Sequence, residues 1–357
     1  MFKKNYIFVE QQVHIFMKTS IRNFAVFCSL FLYIPFVQAQ DILYPIQQGG
    51  KYGYINKSGK MVLEPQFSFA DQFSEGLAAV KKGGKKGFIN TAGKMVIEPQ
   101  FEDGFGFKEG MAAMKKDGKW QYIDKSGKVI FEANCDYAYP FSDGLARFQR
   151  GYKLGFYDKS GKEIIPANYD AAYDFSEGMA RVKSGDVIKS KWGYINKTGD
   201  LAIDYTFDDC FEFSEGLANV RIGNEQTGKY GYIDKKGKIV IEAKYDKAFR
   251  FTDGFAIVRV GDFKKGKFGF IDKTGKFVIP ADHDAAFNFM DGLACVRQGD
   301  AKIGKWGYID KTGRVVISQQ YDFPSDFKNG LAYVRLGNFK NKPAYIDKKG
   351  TIIWQQQ

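Results

Sequence analysis

Residues 51–59 read Lys-Tyr-Gly-Tyr-Ile-Asn-Lys-Ser-Gly, KYGYINKSG, and the fold follows from what this stretch does along the rest of the chain. Its Gly-aromatic core at Gly53 returns at Gly87, Gly155, Gly193, Gly231, Gly269 and Gly307, with Gln121 and Ala344 in the same slot of two altered copies. The slots are 34 residues apart for the first three steps, then 38, with 37 at the last. Self-similarity at a fixed period of this length marks a repeat architecture.

A second motif travels with the first. FSEGLAAV at Phe73 recurs as FKEGMAAM, FSDGLARF, FSEGMARV, FSEGLANV, FTDGFAIV, FMDGLACV and FKNGLAYV. Its Gly lies 23 residues after the preceding slot in all eight copies, so length varies only between this motif and the next core. Leu43 to Gly50 aligns without gaps on Leu77 to Gly84, which brings the count to nine units of 34–38 residues.

Each unit reads as three strands. In the first, LYPI leads through Gln47-Gln48-Gly49-Gly50 into GYI, and Asn56-Lys57-Ser58-Gly59 turns GYI into KMVLEP. All nine copies of that turn keep Asn or Asp first and Gly fourth. The short polar side chain bonds back to the turn and Gly takes the positive φ that closes it. The spacing predicts a three-stranded antiparallel meander too small to be stable alone, so neighbours must stack. The Phe three before each Gly (Phe73, Phe107, Phe141 and so on to Phe327) is expected to pack between units. The small residues six before it, such as Ala70, Gly104 and Cys210, should let sheets approach closely. The expected path is an open solenoid-like superhelix; a closed propeller-like ring is the alternative, since propellers usually have four to eight four-stranded blades.

Lys305-Trp306-Gly307-Tyr308-Ile309-Asp310-Lys311-Thr312-Gly313 and its counterpart at Lys191 to Gly199 resemble the WG-repeat family, as does the acidic-Gly-Leu-Ala element downstream. The resemblance covers residues 43–357 and implies an all-β repeat scaffold, often exported, with binding rather than catalysis as its role. The altered Trp and Gly slots weaken single copies, not the likeness.

The first forty residues differ from the rest. Lys18 and Arg22 precede an apolar run from Phe24 to Val37, and Val37-Gln38-Ala39 offers small residues where a signal peptidase reads. Residues 1–39 are expected to be a secretory signal, with Met17 an alternative start, and residues 40–357 one repeat domain. Loss of Lys3, Lys4, Lys18, Arg22 and Glu10 takes the net charge from +12 to +9. No membrane span is expected after cleavage, and the protein would be periplasmic, on the cell surface or secreted. Cys135, Cys210 and Cys295 then remain, an odd number at unrelated spacings and no disulfide framework.

Catalysis by a nucleophile needs a base beside it, usually His. After the leader only His283 is left, in a slot filled elsewhere by Phe67, Phe101, Tyr169, Phe207, Tyr245 and Tyr321, so it reads as an aromatic substitute. Acidic residues recur before the motif Gly (Glu75, Glu109, Asp143, Glu177, Glu215, Asp253, Asp291) and in the linkers (Asp136, Asp170, Asp208, Asp246, Asp284, Asp322). An enzyme needs one unusual constellation, whereas these repeat everywhere. They are expected to cap turns and to pair with the following cations, Lys81, Lys183, Arg221, Arg259, Arg297 and Arg335. The Asp-Lys-Ser/Thr-Gly turns lack the alternating ligands of a calcium loop. No cofactor, metal site or catalytic residue is expected.

The later units carry longer loops, SGDVIKSK (184–191), IGNEQTGK (222–229), VGDFKKGK (260–267), QGDAKIGK (298–305) and LGNFKNK (336–342). Insertions in a repeat array project from one edge, often the binding edge. The candidate ligand-binding residues are therefore Lys189, Trp192, Phe263, Lys264, Lys265, Lys302, Trp306, Phe339, Lys340 and Lys342. A protein partner at the cell envelope is the first expectation and an anionic polysaccharide or other envelope polymer the second. Nucleic acid fits the charge but not export, and a hydrolase is the remote alternative.

Overall fold

The computed structural model describes residues 42–183, 191–262, 264–336 and 342–356. The expected signal segment lies outside them. Nine antiparallel sheets follow one another along the chain, the first of three strands and the others of four. Each expected meander is present, as in Leu43–Gln48, Lys51–Asn56 and Met61–Phe67. From the second sheet on, the linker adds a strand ahead of the meander: Phe69–Ala70 precedes Leu77–Lys82, Lys85–Asn90 and Met95–Phe101. Most of these added strands span two residues and one, Tyr137–Ser142, spans six. Runs this short, at the small-residue slot, carry no strand periodicity of their own, which is why three strands rather than four were expected.

The array closes, so the open superhelix gives way to a nine-bladed propeller. Tyr44 of blade 1 meets Tyr345 of blade 9 edge-on at 5.5 Å. The Tyr345 hydroxyl donates to the Pro45 carbonyl at 2.9 Å, and the Tyr44 hydroxyl donates to the Asn329 carbonyl at 2.8 Å. Tyr44, Ile46, Ile55, Leu331 and Tyr345 form one buried cluster across the join. Closure removes the two exposed end faces that an open array must cap.

The short strands face the axis. Arg250 of blade 7 acts on Asp326 of blade 9, and Lys328 of blade 9 reaches Gln72 of blade 2 at 2.6 Å, both skipping a blade. The last strand of each blade forms the rim, where burial alternates as a one-sided strand requires. Between blades the repeated Phe packs on the aromatic that follows the preceding core Gly: Phe73 on Tyr54 at 5.1 Å, Phe107 on Phe88 at 4.8 Å, Phe327 on Tyr308 at 4.8 Å. Aromatic pairs of this kind add roughly 0.5–1.5 kcal/mol beyond their buried area. Where the partner is Tyr, its hydroxyl also bonds a carbonyl of the next linker, as Tyr54 to Asp71 at 2.7 Å and Tyr232 to Phe249 at 2.7 Å.

Candidate binding faces

The meander sorts its connections onto two faces. The acidic turn and the Asx-Lys-x-Gly turn of a blade lie at one end of its strands. The inserted loops and the blade-to-blade crossings lie at the other.

On the turn face, Ser74 and Leu77 exchange both backbone hydrogen bonds, at 2.9 and 3.1 Å, around Glu75 and Gly76. Both central residues have positive φ, 53° and 86°, the geometry of a type I′ hairpin. Asp and Asn tolerate that conformation and Glu does so less well, yet Glu occupies it four times. The longer side chain reaches the next blade. Glu75 accepts the Gly110 N–H at 3.0 Å and pairs with Lys125 at 3.2 Å. The arrangement repeats in Glu109–Lys159, Asp143–Lys197, Glu177–Lys235, Glu215–Lys273, Asp253–Lys311 and Asp291–Lys348, at 2.6–3.5 Å. These acids therefore do not pair with the cations that follow them in sequence. A hairpin points its tip along the blade, so the nearest cations are the turn lysines of the next blade.

The linker acids form a second ring on the loop face, where their ion pairs go to lysines of the preceding blade rather than to the cations expected of them. Asp208, Asp246 and Asp284 cap the N–H of Gly223, Gly261 and Gly299 at 2.8–2.9 Å. They also pair across the blade boundary with Lys191, Lys229 and Lys267 at 2.5–2.6 Å. Against the upward pull of burial, these lysines and glycine N–H groups, with Arg221, Arg259 and Arg297 beside them, hold all three carboxyls below the usual range.

The inserted loops share one conformation where they are described. Asn224 Oδ1 accepts from the backbone N–H of Gln226 and Thr227, Asp262 Oδ1 from Lys264 and Lys265, and Asp300 Oδ1 from Lys302 and Ile303, all at 2.7–3.1 Å. Gly228, Gly266 and Gly304 then close each loop on the carbonyl of the same Asx residue at 2.8 Å. The tips are thus fixed by their own sequence. Lys264, Lys265 and Lys302 are exposed, and Ile303 is 76% exposed. Lys342, at the start of the third strand of blade 9, is exposed too. Lys189, Phe263, Phe339 and Lys340 lie outside the described residues.

The two tryptophans are placed otherwise. Trp192 sits against Tyr173 at 5.8 Å, with Arg181 over it at 5.2 Å. Trp306 stacks on Phe287 at 4.9 Å, with Arg297 over it at 5.4 Å. Both are half-buried members of their blades, not side chains of the loop tips. Arg181, only 7% exposed, also covers Tyr173 at 3.5 Å and pairs with Glu212 of the next blade at 3.1 Å. Nothing in the repeat pattern marked it, because its slot also holds Ala79, Asn219 and Cys295.

His283 lies buried on the rim strand opposite Phe268, as an aromatic substitute would, with Nδ1 3.1 Å from Gln298. Burial lowers its pKa. Burial pushes the Cys135 and Cys210 thiols up to about 12 and raises Cys295 as well, so none is poised as a thiolate. Among the described residues no group of His, Cys, Asp and Glu could hold a metal, and no helix is long and apolar enough to cross a membrane.

A family model for the WG-containing repeat matches residues 52–85, 87–120, 122–153, 155–187, 192–225, 230–262, 268–300 and 306–338. The chain belongs to the WG-repeat family. Its defining glycine has a steric cause. The rim strand bulges over the core, so a Cβ at Gly155 would lie 2.6 Å from the Ile165 carbonyl oxygen and 2.7 Å from Ala167 N. In the two WG repeats without Gly the bulge is gone at that point, and Gln121 and Ala344 pair in register with Glu132 and Gln355. No curated protein sequence matches this WG-repeat chain. Among solved structures, a eukaryotic initiation factor superposes with a TM-score of 0.62 at 10% identity, over 89% of this chain and 98% of that one, a likeness of fold alone. Hsv2 of Kluyvelomyces marxianus reaches a TM-score of 0.40 at 9% identity, over 69% and 93%.

Proposed function

We propose that this WG-repeat propeller is an exported, non-enzymatic scaffold that binds a protein at the cell envelope through its loop face. One observation carries the reading. The long loops of blades 6 to 8 are held in one conformation by Asn224, Asp262 and Asp300, and they raise exposed cations and Ile303 above Lys229 and Lys267, which are committed to ion pairs. A loop already fixed loses little conformational freedom when it binds, which favours affinity. Ile303 beside Lys302 offers apolar contact as well as charge, as protein interfaces require. A non-catalytic role is supported by the acids, which form two rings that join blades and single out no one constellation.

The second reading, an anionic envelope polymer, rests on the same lysines. The test is retention of envelope components by the purified secreted chain, beside a variant with Lys264, Lys265, Lys302, Lys340 and Lys342 changed to Gln. A protein held at high salt by the unmutated chain alone supports the first reading. Polymer released by salt supports the second, because exposed charges are screened. Equal behaviour of both chains overturns the loop face as the site.

A further inference from the structure

Two of the nine boundaries on the turn face cannot form the pair: between blades 1 and 2 Thr91 replaces the turn lysine, and between blades 9 and 1 it is the acid that is replaced. Between blades 9 and 1 the acid position holds Asn329, at φ 56°, and the turn lysine opposite is Lys57. Lys57 lies over that turn, since a Cβ added at Gly330 would meet its Nζ at 2.6 Å. Among the described residues it has no carboxylate at ion-pair distance. Its charge is felt by Asp291, which already accepts from Gly330 N–H at 2.6 Å and pairs with Lys348 at 3.1 Å. Elsewhere the turn lysine also donates to the backbone carbonyl of the acid residue, as Lys125 does to Glu75 at 3.0 Å. At the seam that carbonyl, Asn329 O, is taken by the Tyr44 hydroxyl.

The lysine therefore faces the place where seven other boundaries put a carboxylate. The surface around it is an open groove that also includes Ile42, Asp347, Lys348 and Lys349. Ile42 and Asn329 continue into a second cavity of about 300 Å³, walled by Tyr44, Phe73, Tyr333 and Tyr345. That volume suits a small ligand group. Asp326, on the same wall, is the acid that faces Arg250 of blade 7. A cation with no carboxylate partner among the described residues stands next to an aromatic cavity, and the two share an edge.

We infer that the seam between blades 9 and 1 is a binding site for a carboxylate attached to an apolar or aromatic group, the chemistry a peptide presents at its C-terminal residue. The carboxylate takes the position of the missing side-chain acid beside Lys57, and the apolar group enters the cavity of Tyr44, Phe73, Tyr333 and Tyr345. The site lies on the face opposite the long loops and is independent of the loop-face reading.

Calorimetric titration of the purified chain at low salt tests this with three probes: an acetylated pentapeptide ending in Phe with a free carboxylate, the same peptide as its C-terminal amide, and N-acetylphenylalanine. The free-acid peptide is expected to bind at least about tenfold more tightly than the amide, since a charged hydrogen bond is worth about 1.5–3 kcal/mol. Lys57→Gln should lose that preference. Asn329→Asp should abolish binding, because it restores the internal carboxylate, while leaving the unfolding midpoint unchanged or higher. Binding of N-acetylphenylalanine but not of the peptide upholds the site and makes its ligand a small organic acid. Equal affinity for acid and amide, unchanged binding in Lys57→Gln, or no binding by any probe overturns the inference.

Discussion

Glu75 Oε2 lies 3.2 Å from Lys125 Nζ although fifty residues and a blade boundary separate them. The contact depends on backbone conformation as much as on charge. The positive φ of Glu75 turns its side chain out of its own hairpin and toward the next one. Seven such pairs around the turn face bind blades 2 to 9, each to the next, by residues that are local to neither.

Glu75→Gln keeps an oxygen for the Gly110 N–H and removes only the charge. The pair is part-exposed, so the expected loss is about 0.2–1 kcal/mol. A double-mutant cycle with Lys125→Gln, read from denaturant midpoints, should return a coupling in that range at low salt. The coupling should shrink in high salt as the charges are screened. No coupling at low salt would mean that the carboxylate serves Gly110 alone.

The carboxyls of both rings set the acid limit of stability. Glu75, Asp208, Asp246, Asp284 and Asp291 are held below their usual range by lysine and glycine N–H partners that outweigh the opposing pull of burial. A carboxyl depressed in the folded state contributes stability that is fully present above its unfolded pKa of about 4 and is lost as pH falls through the folded value. Their contribution should be constant from pH 7 to about 5 and be lost below about 4, so the thermal midpoint should fall much more steeply below about pH 4 than above it. No steepening of the fall below about pH 4 would show that the pairs contribute nothing.

The core glycine is the next point of test. At Gly155 an added methyl group meets backbone on the bulged strand, which cannot rotate away as a side chain could. Gly155→Ala is expected to cost about 1–3 kcal/mol. Gln121→Ala, in a blade whose rim strand pairs in register at that point, should cost less. The comparison of the two midpoints checks the steric reading, and equal costs would refute it.

What the sequence made legible was what repeats with a local cause. The Asx-Gly turns, the meander and the Phe between blades each follow from residues within one unit, and Phe107 packs on Phe88 as its position required. Closure was not legible, because it depends on the small rotation each blade adds, which no single residue encodes. Tyr44 and Tyr345 mark the join only once they are seen together. The acid pairings were not legible, because proximity in sequence is not proximity in space and φ at Glu75 sends the side chain to the next blade. Asn329 at an otherwise acidic slot was the one available sign of the seam site.

His283 gives the last prediction its sign. It is buried opposite Phe268, and desolvation, partly offset by Asp282 and Asp284, lowers its pKa below that of the unfolded chain. Below pH of about 6.5 the unfolded state therefore binds a proton that the folded state resists, and stability falls with pH until the folded value is passed. His283→Phe installs the residue that Phe67, Phe101 and Phe207 place in the same slot of other blades. It gives up the contact to Gln298 but removes this liability. The variant should unfold at the same or a slightly lower midpoint than the parent at pH 8 and at a higher midpoint at pH 5. Parallel curves at the two pH values would mean that the imidazole is protonated as readily in the fold as outside it, and that its burial is relieved by motion of the rim strand.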